Sequence, residues 1–444
     1  MRRSRPFRRR SRRGTANRRG SKRFLKPRVW PHNSSGILEL NMSNTPFLSE
    51  RIHRIKPSPS MAAKALVDKL RAEGRDIIDF TIGEPDLPTP DHVIEAAIAA
   101  MRAGRTKYTG SSGTPELRKA IATKLLRDNQ VEFGPQNIVV GAGGKHIIFH
   151  ALSVTLNPGD EVIIHAPYWV SYPDMVVVND GVPVVVVGSE PEGFKLTPAA
   201  LESAITPATK WLILNSPNNP TGAVYSEEEI RALGEVLTRH PHVWLMSDEI
   251  YEHFIFDGSK HVSPLAVVPE LRERSLIVNG ASKGYSMTGW RLGYGAGPAT
   301  LVNAISKLIS QTTTCPSSIS QAAAIAAFAG SQASPQHAAK VFAARGKLMA
   351  QLLKDAPGMR VTPPSGAFYL YPSVAGMLGK RTPKGKTLNS DMDVVSYFTE
   401  EAGVATLDGT AYGVPPHIRL SFAASEDAIR EGCKRIVAAC VALG

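Results

Sequence analysis

Two cations stand close together in the stretch NGASKGYSMTGWRLGYGAGP, Asn279–Pro298: Lys283 follows a small-residue turn, and Arg291 comes after Ser, Thr, Gly and Trp. Like charges repel unless an anion lies between them. A phosphate would fit, accepting backbone, hydroxyl and guanidinium donors together. Ser282 supplies a hydroxyl beside Lys283. Gly143 and Gly144 of VGAGGKH stand where a helix begins, and unpaired N–H groups and the helix dipole there attract an anion. Two other phosphate templates do not fit. GAGGKH carries His146 where a dinucleotide fingerprint needs its third glycine, and no G-x-x-x-x-G-K-[S/T] occurs, which disfavours NAD and ATP.

The elements that must position these groups alternate in type. From Ile138 onward, short β-branched runs follow helical patterns, which predicts an α/β fold with a mostly parallel central sheet covered by helices. NIVVGAGG reads as strand and turn, KHIIFHALSVTL as helix, and EVIIHAPYW and WLILNSPNNPTG as strands. Ser226 and Glu229 predict a capping box that opens the helix EEEIRALGEVLTRH. VWLMSDEIY and SLIVNGASK are further strand-to-loop transitions, with no clear helix between Tyr251 and Ser275. Asn219, Asp248 and Lys283 each lie just past an apolar run, so three strand ends converge on one crevice, where open α/β sheets bind ligands. A phosphate beside a lysine, with an aspartate from another strand end, points to pyridoxal 5′-phosphate. Lysine forms a Schiff base with its aldehyde, aspartate keeps the pyridine nitrogen protonated, and the ring accepts electrons from a carbanion.

The carboxyl-terminal part changes character. GMRVTPPSGAFYLYP and VATLDGTAYGVPPHIRLSFA read as strands of a second, smaller α+β lobe, with helices around Val394–Ala402 and Glu426–Ala442, and the Pro/Gly-rich opening from RIKPSPS to TIGEPDLPTP joins that lobe. The net charge of +13 is local: residues 1–41 hold 14 of the 52 Lys/Arg and one of the 39 acidic residues, leaving 38 of each sign in the remainder. Such a segment cannot bury an apolar face and is expected to be disordered. It reads as a nucleic-acid arm, an organelle transit peptide, or translated sequence upstream of a start at Met42. The third is preferred, because nothing in the neutral body supports a binding role. Three cysteines without a C-x-x-C pair indicate neither a disulfide framework nor a structural zinc site, and fit a reducing cytosol. The apolar runs are too short to span a bilayer, which needs about 20 residues.

SPNNPTG, SDEIYEH, SKGYSMTGWRLGY and HIRLSF, in this order and at these separations, resemble the fold-type I aminotransferases of class I, from about Arg51 to the end. Within the class, RIKPSPS, IGEPD, TKYT, GGK and APYWVSYP are most similar to bacterial aspartate aminotransferases of the branch that includes the aspartate/prephenate enzymes. His146 departs from that branch, which has Gln there. The resemblance implies roles residue by residue. Lys283 holds the cofactor and then shuttles a proton, and Asp248 pairs with the pyridinium nitrogen. Tyr251 and Asn219 bond the ring's phenolic oxygen, and Trp169 stacks on the ring. Ser282, Arg291 and the Gly143/Gly144 amides take the phosphate, which Tyr108 of a neighbouring subunit also reaches, so a homodimer is implied. Arg419 grips the substrate α-carboxylate with help from the Gly83 amide, while Lys145 and Lys56 recognise the distal carboxylate of aspartate or prephenate. No metal is implied.

The expected activity is amino-group transfer from aspartate to 2-oxoglutarate, with prephenate as a possible second acceptor, in a cytoplasmic enzyme acting on small amino and oxo acids. A lyase or synthase using the same cofactor is the nearest rival, and a nucleic-acid-binding regulator built on such a domain a remote one. The expected organisation is a tail over 1–41, an opening over 42–89 shared between the small lobe and the connection, a large cofactor-binding lobe over 90–335, and a small lobe over 336–444.

Overall fold

The computed structural model describes residues 47–256, 258 and 260–444; the basic segment 1–41 and Met42 lie outside the described residues. In chain order the strands are β1 (Ile78–Asp79), β2 (Ile138–Gly141), β3 (Glu161–Ala166), β4 (Val182–Val187), β5 (Thr209–Asn215), β6 (Trp244–Asp248), β7 (Ser275–Gly280), β8 (Gly293–Ala296), β9 (Tyr369–Leu370), β10 (Val404–Ala405), β11 (Leu407–Asp408) and β12 (Ile418–Ser421). β2 to β8 form one seven-stranded sheet in the order β2-β8-β7-β6-β5-β3-β4. This is the expected α/β architecture, with one addition: β8 runs antiparallel to both its neighbours, β2 and β7. GYGA, four residues with two glycines, carries no strand signal of its own, and its pairing is imposed by the strands on either side.

The sheet is buried on both faces, which is why its inner strands read as continuous apolar runs. Alternate residues of β5 serve opposite sides: Leu212 and Leu214 join the core with Ile163, Leu245 and Ile277, whereas Trp211 and Ile213 join the one with Val162, Met246 and Leu276. The helix Glu227–Arg239 opens on the expected capping box, with Glu229 N–H donating to Ser226 Oγ at 3.2 Å and Ser226 N–H to Glu229 Oε2 at 2.7 Å. Among the described residues no full helix crosses from β6 to β7; a four-residue helix, Pro264–Val267, and a 3-10 segment, Pro269–Arg274, lie in the connection.

In the carboxyl-terminal part β11, β12 and β9 form a three-stranded antiparallel sheet, packed with the helices Ala333–Leu353 and Glu426–Val441 around Phe342, Phe368, Leu420 and Ile436. The helix expected around Val394–Ala402 is Asp391–Tyr397, continued by a π turn over Phe398–Ala402. β1, from the opening segment, pairs in parallel with β10, so the opening is tied to these carboxyl-terminal elements. No helix of the described residues is long and apolar enough to cross a membrane.

Candidate active site

Two central strands end on polar residues in register, Asn215 of β5 opposite Asp248 of β6, and Asp248 in turn lies opposite Val278 of β7. Beyond β7 the chain leaves the sheet for residues 281–292 and returns as β8, with Gly280 opposite Gly293. Lys283 and Arg291 both ride on that excursion, which puts them over the carboxyl end of the sheet. A cavity there is lined by Gly83, Gly144, Lys145, Trp169, Asn219, Asp248, Tyr251, Ser282, Lys283, Arg291 and Arg419. Gly143 lies against it through Arg291. Two residues expected at the site are not brought there within this chain: Lys56 is exposed outside the lining, and Tyr108 is 87% exposed.

At one end of the cavity are donors without an acid. Gly143 caps the helix Gly144–Thr155 with a φ of 93°, and a side chain on it would place Cβ 2.6 Å from Arg291 Nη2. Gly293 likewise leaves no room for a side chain against Gly143 and Gly144. The Arg291 guanidinium donates to the Thr288 carbonyl at 2.9 Å and the Ala142 carbonyl at 3.3 Å. Among the described residues no carboxylate lies within 4 Å of it, and Ser282 Oγ makes no hydrogen bond. Helix-start amides, a hydroxyl and an unpaired guanidinium form a donor set suited to a phosphate. His146 lies just behind. Its Nδ1 accepts from Ala142 N–H at 3.3 Å, and burial, then His150 and Arg291, lower its pKa to about 4. A neutral imidazole is thus the acceptor at this helix start.

At the other end Asp248 is buried. Tyr172 Oη donates to its Oδ2 at 2.6 Å and Ile250 N–H to its Oδ1 at 3.3 Å. Burial raises its pKa to about 6, with Glu249 adding to the rise and Tyr172, Ile250 and Lys283 opposing it. Lys283 donates to the Gly83 carbonyl, and its ammonium lies 5.9 Å from the ring centres of both Tyr251 and Phe368. Loss of hydration lowers it to about 8, opposed by Glu84 and helped by Arg419 and Arg291. An amine near neutrality, a buried carboxylate and an anion cradle are what a pyridoxal phosphate requires of its protein, so the residues present fit that group.

Arg419, on β12, is buried at 3% exposure. It donates to Asn219 Oδ1 at 3.1 Å and the Thr81 carbonyl at 2.6 Å, its Nε has no partner, and Tyr369 stacks 4.4 Å away. No carboxylate among the described residues pairs with it, so it is a buried cation offered to the cavity. Asn219 N–H bonds Asn215 Oδ1 at 2.9 Å, and Asn215 Nδ2 bonds the Asp248 carbonyl at 2.9 Å, joining Arg419 to Asp248 by a continuous chain. Lys145 Nζ sits 4.7 Å over the Trp169 ring, its ammonium pKa lowered by desolvation and Arg291.

Three lining residues carry no signal in the sequence. Tyr172 and Tyr369 read as core aromatics within apolar runs, and Asn215 as the polar end of a strand. Yet Tyr172 holds Asp248 and meets Trp169 edge to face at 5.3 Å, while Tyr369 Oη bonds Tyr251 Oη at 2.9 Å. Only the spacing of Trp169 and Tyr172, three apart at a helix start, hints that the two share a face.

A stability prediction follows from Asp248. The folded chain keeps its proton between pH about 4 and about 6, where the unfolded chain has released it, so cofactor-free protein loses stability as pH rises through that window. Asp248→Asn should therefore stabilise the cofactor-free protein at pH 7, by roughly 1–3 kcal/mol, while weakening cofactor binding. Urea denaturation of the two cofactor-free proteins at pH 4 and pH 7 checks this; an equal gain at both would refute the assignment.

The chain matches the family described as aminotransferase class I and II over residues 75–436. It is 48% identical over 397 residues to the aspartate/prephenate aminotransferase of Cereibacter sphaeroides, covering 89% of this chain and 99% of that one. Among solved structures, the aspartate aminotransferase of Rhizobium meliloti superposes with a TM-score of 0.88 at 45% identity, covering 90% of this chain and all of that one. The aspartate aminotransferase of Thermus thermophilus with maleate gives 0.83 at 40% identity, covering 89% of this chain and all of that one.

Proposed function

The chain belongs to the class I and II aminotransferases, and from that premise we propose that it moves the amino group of aspartate to 2-oxoglutarate in ping-pong half-reactions. Pyridoxal 5′-phosphate is the cofactor, and prephenate a further acceptor. The observation that carries this reading is Arg419: a buried guanidinium without a carboxylate partner, in the same cavity as Lys283 and Asp248. When bound, pyridoxal phosphate supplies the sink for charge that develops at the substrate's α carbon.

The chain's own groups do the rest. The Gly143/Gly144 amides, Ser282 and Arg291 hold the phosphate. Asp248, fixed by Tyr172, would pair with the pyridine nitrogen, and Trp169 would stack on the ring. Asn219 and Tyr251 address the phenolic oxygen, and Tyr251 is in turn oriented by Tyr369. Lys283 would anchor the cofactor, and its amine would move the proton at the substrate α carbon; a pKa of about 8 suits an amine that must both accept and return a proton near neutral pH. Arg419 takes the α-carboxylate as a planar fork, helped by the Gly83 amide.

Lys145 takes the distal carboxylate, and Lys56, four residues before Ser60 of the cavity wall, is its second cation. Maleate, bound in the Thermus thermophilus relative, is also a dicarboxylate. Tyr108, exposed and away from this chain's own cavity, serves the site of a second subunit in a homodimer. The unpaired cysteines Cys315, Cys433 and Cys440 suit a cytoplasmic setting. The division into an opening over 42–89, a cofactor lobe over 90–335 and a small lobe over 336–444 belongs to the same proposal.

Aspartate with 2-oxoglutarate should yield oxaloacetate and glutamate in equal amounts; pyruvate and ammonia instead would make the protein a lyase. Lys145→Ser should lower kcat/KM for aspartate about 10- to 100-fold relative to a monocarboxylic amino donor, the value of one lost charged hydrogen bond. An unchanged preference for dicarboxylates would remove Lys145 from specificity.

A further inference from the structure

Behind the cavity lies a buried polar network that none of the roles above uses. Asp248 and Tyr251 face the cavity; Glu249 and Glu252, each one residue further along, face the other way. Glu252 is paired with Lys124, itself only 1% exposed, on the helix Pro115–Asn129. Lys124 Nζ also donates to Asn129 Oδ1 at 2.7 Å, and Asn129 Nδ2 donates to Glu252 Oε2 at 2.7 Å and Glu249 Oε2 at 3.0 Å. Glu249 is further held by Ser247 at 3.0 Å, Ser263 at 2.8 Å and His261 at 2.8 Å. His253 Nε2, 3.5 Å from Glu252 Oε1, belongs to the same cluster, and its ring packs so tightly on Gly284 that no Cβ fits there. Gly284 is the residue after Lys283. One network therefore touches both turns that carry the reacting groups, from the side away from substrate.

Stability alone gives little reason to keep it. Replacing a buried ion pair by well-packed apolar side chains is often neutral or stabilising, and buried ionic groups are best justified where they fix one arrangement among several. Here the arrangement is the relative placement of Asp248, Tyr251 and Lys283. We propose that Lys124, acting through Glu252 and Glu249, is a positioning residue that locks these two turns in mutual register for cofactor binding. The inference rests on the cofactor reading above.

The test is pyridoxal phosphate affinity, measured by equilibrium dialysis on cofactor-stripped protein, together with the pH midpoint of the holoenzyme's visible absorption. Lys124→Met is expected to weaken affinity at least about 10-fold and to move the midpoint upward, because a cation leaves the neighbourhood of both turns. Lys124→Met and Glu252→Met break one link, so the double variant should bind no more weakly than the weaker single one. Should Lys124→Met fail to fold, Ser263→Ala, which removes one donor from Glu249, should still weaken affinity by about 3-fold. Lower thermal stability with unchanged affinity and midpoint, or additive losses in the double variant, would overturn the proposal. A wild type that takes up no pyridoxal phosphate would bring down the cofactor reading and this inference together; a wild type that binds it, with variants that bind equally well, brings down the inference alone.

Discussion

Lys283→Ala should form oxaloacetate from aspartate and 2-oxoglutarate at least about 10⁴-fold more slowly than the wild type while remaining folded. The side chain has two tasks, anchoring the cofactor and carrying the proton at the α carbon, and no other described amine lining the cavity stands beside Gly83, Tyr251 and Phe368 as Lys283 does. Lost activity must be separated from lost structure, and the lysine's own pKa supplies the means. In the fold it sits near 8, below the ordinary 10.5, so the folded chain binds fewer protons than the unfolded one between these values. Its contribution is therefore unfavourable below pH 8 and is relieved as pH rises toward 10.5. Cofactor-free Lys283→Ala should accordingly be at least as stable as wild type at pH 7, with the difference shrinking at higher pH. Turnover within 10-fold of wild type, measured by steady-state assay, would end the assignment.

Arg419→Lys should lower kcat/KM by at least about 100-fold, roughly 3 kcal/mol, and by a similar factor for every amino donor and oxo acid. The uniformity distinguishes it from Lys145→Ser. An α-carboxylate is common to all these substrates, whereas the distal carboxylate is not. Lysine keeps the charge but not the planar fork, and it cannot span Asn219 Oδ1 and the Thr81 carbonyl while presenting two parallel donors to substrate. It would also lose the stacking on Tyr369. A substrate panel run on both variants separates the two cations; a loss confined to dicarboxylates in Arg419→Lys would exchange their roles.

The chemistry was legible in the sequence where polar residues interrupt apolar runs. Asp248 and Lys283 stand out because each closes a buried strand or the turn just beyond it, and Gly143/Gly144 because two glycines open a helix. Aromatic partners did not show: inside an apolar run, Tyr172 and Tyr369 look like core, and only their hydroxyl bonds to Asp248 and Tyr251 mark them out. β8 was invisible for another reason, since its glycines serve close approach and not extension: Gly293 lets Gly143 and Gly144 come near, and Gly295 leaves room for Ile147 and Leu276. Lys124 and Glu252, 128 positions apart, share no local pattern at all. Local periodicity can find a strand end, but pairings across such separations exist only once the sheet has formed.

The excursion from Gly280 to Gly293 has a consequence for how this chain can change over generations. Its two feet are pinned to adjacent antiparallel strands, so an insertion or deletion cannot be absorbed by sliding one strand, because a one-residue slip would turn every side chain of β8 to the opposite face. Lineages of this protein should therefore tolerate substitution at the exposed Gly289, where an added side chain would meet nothing, far more readily than any change in the number of residues between the two strands.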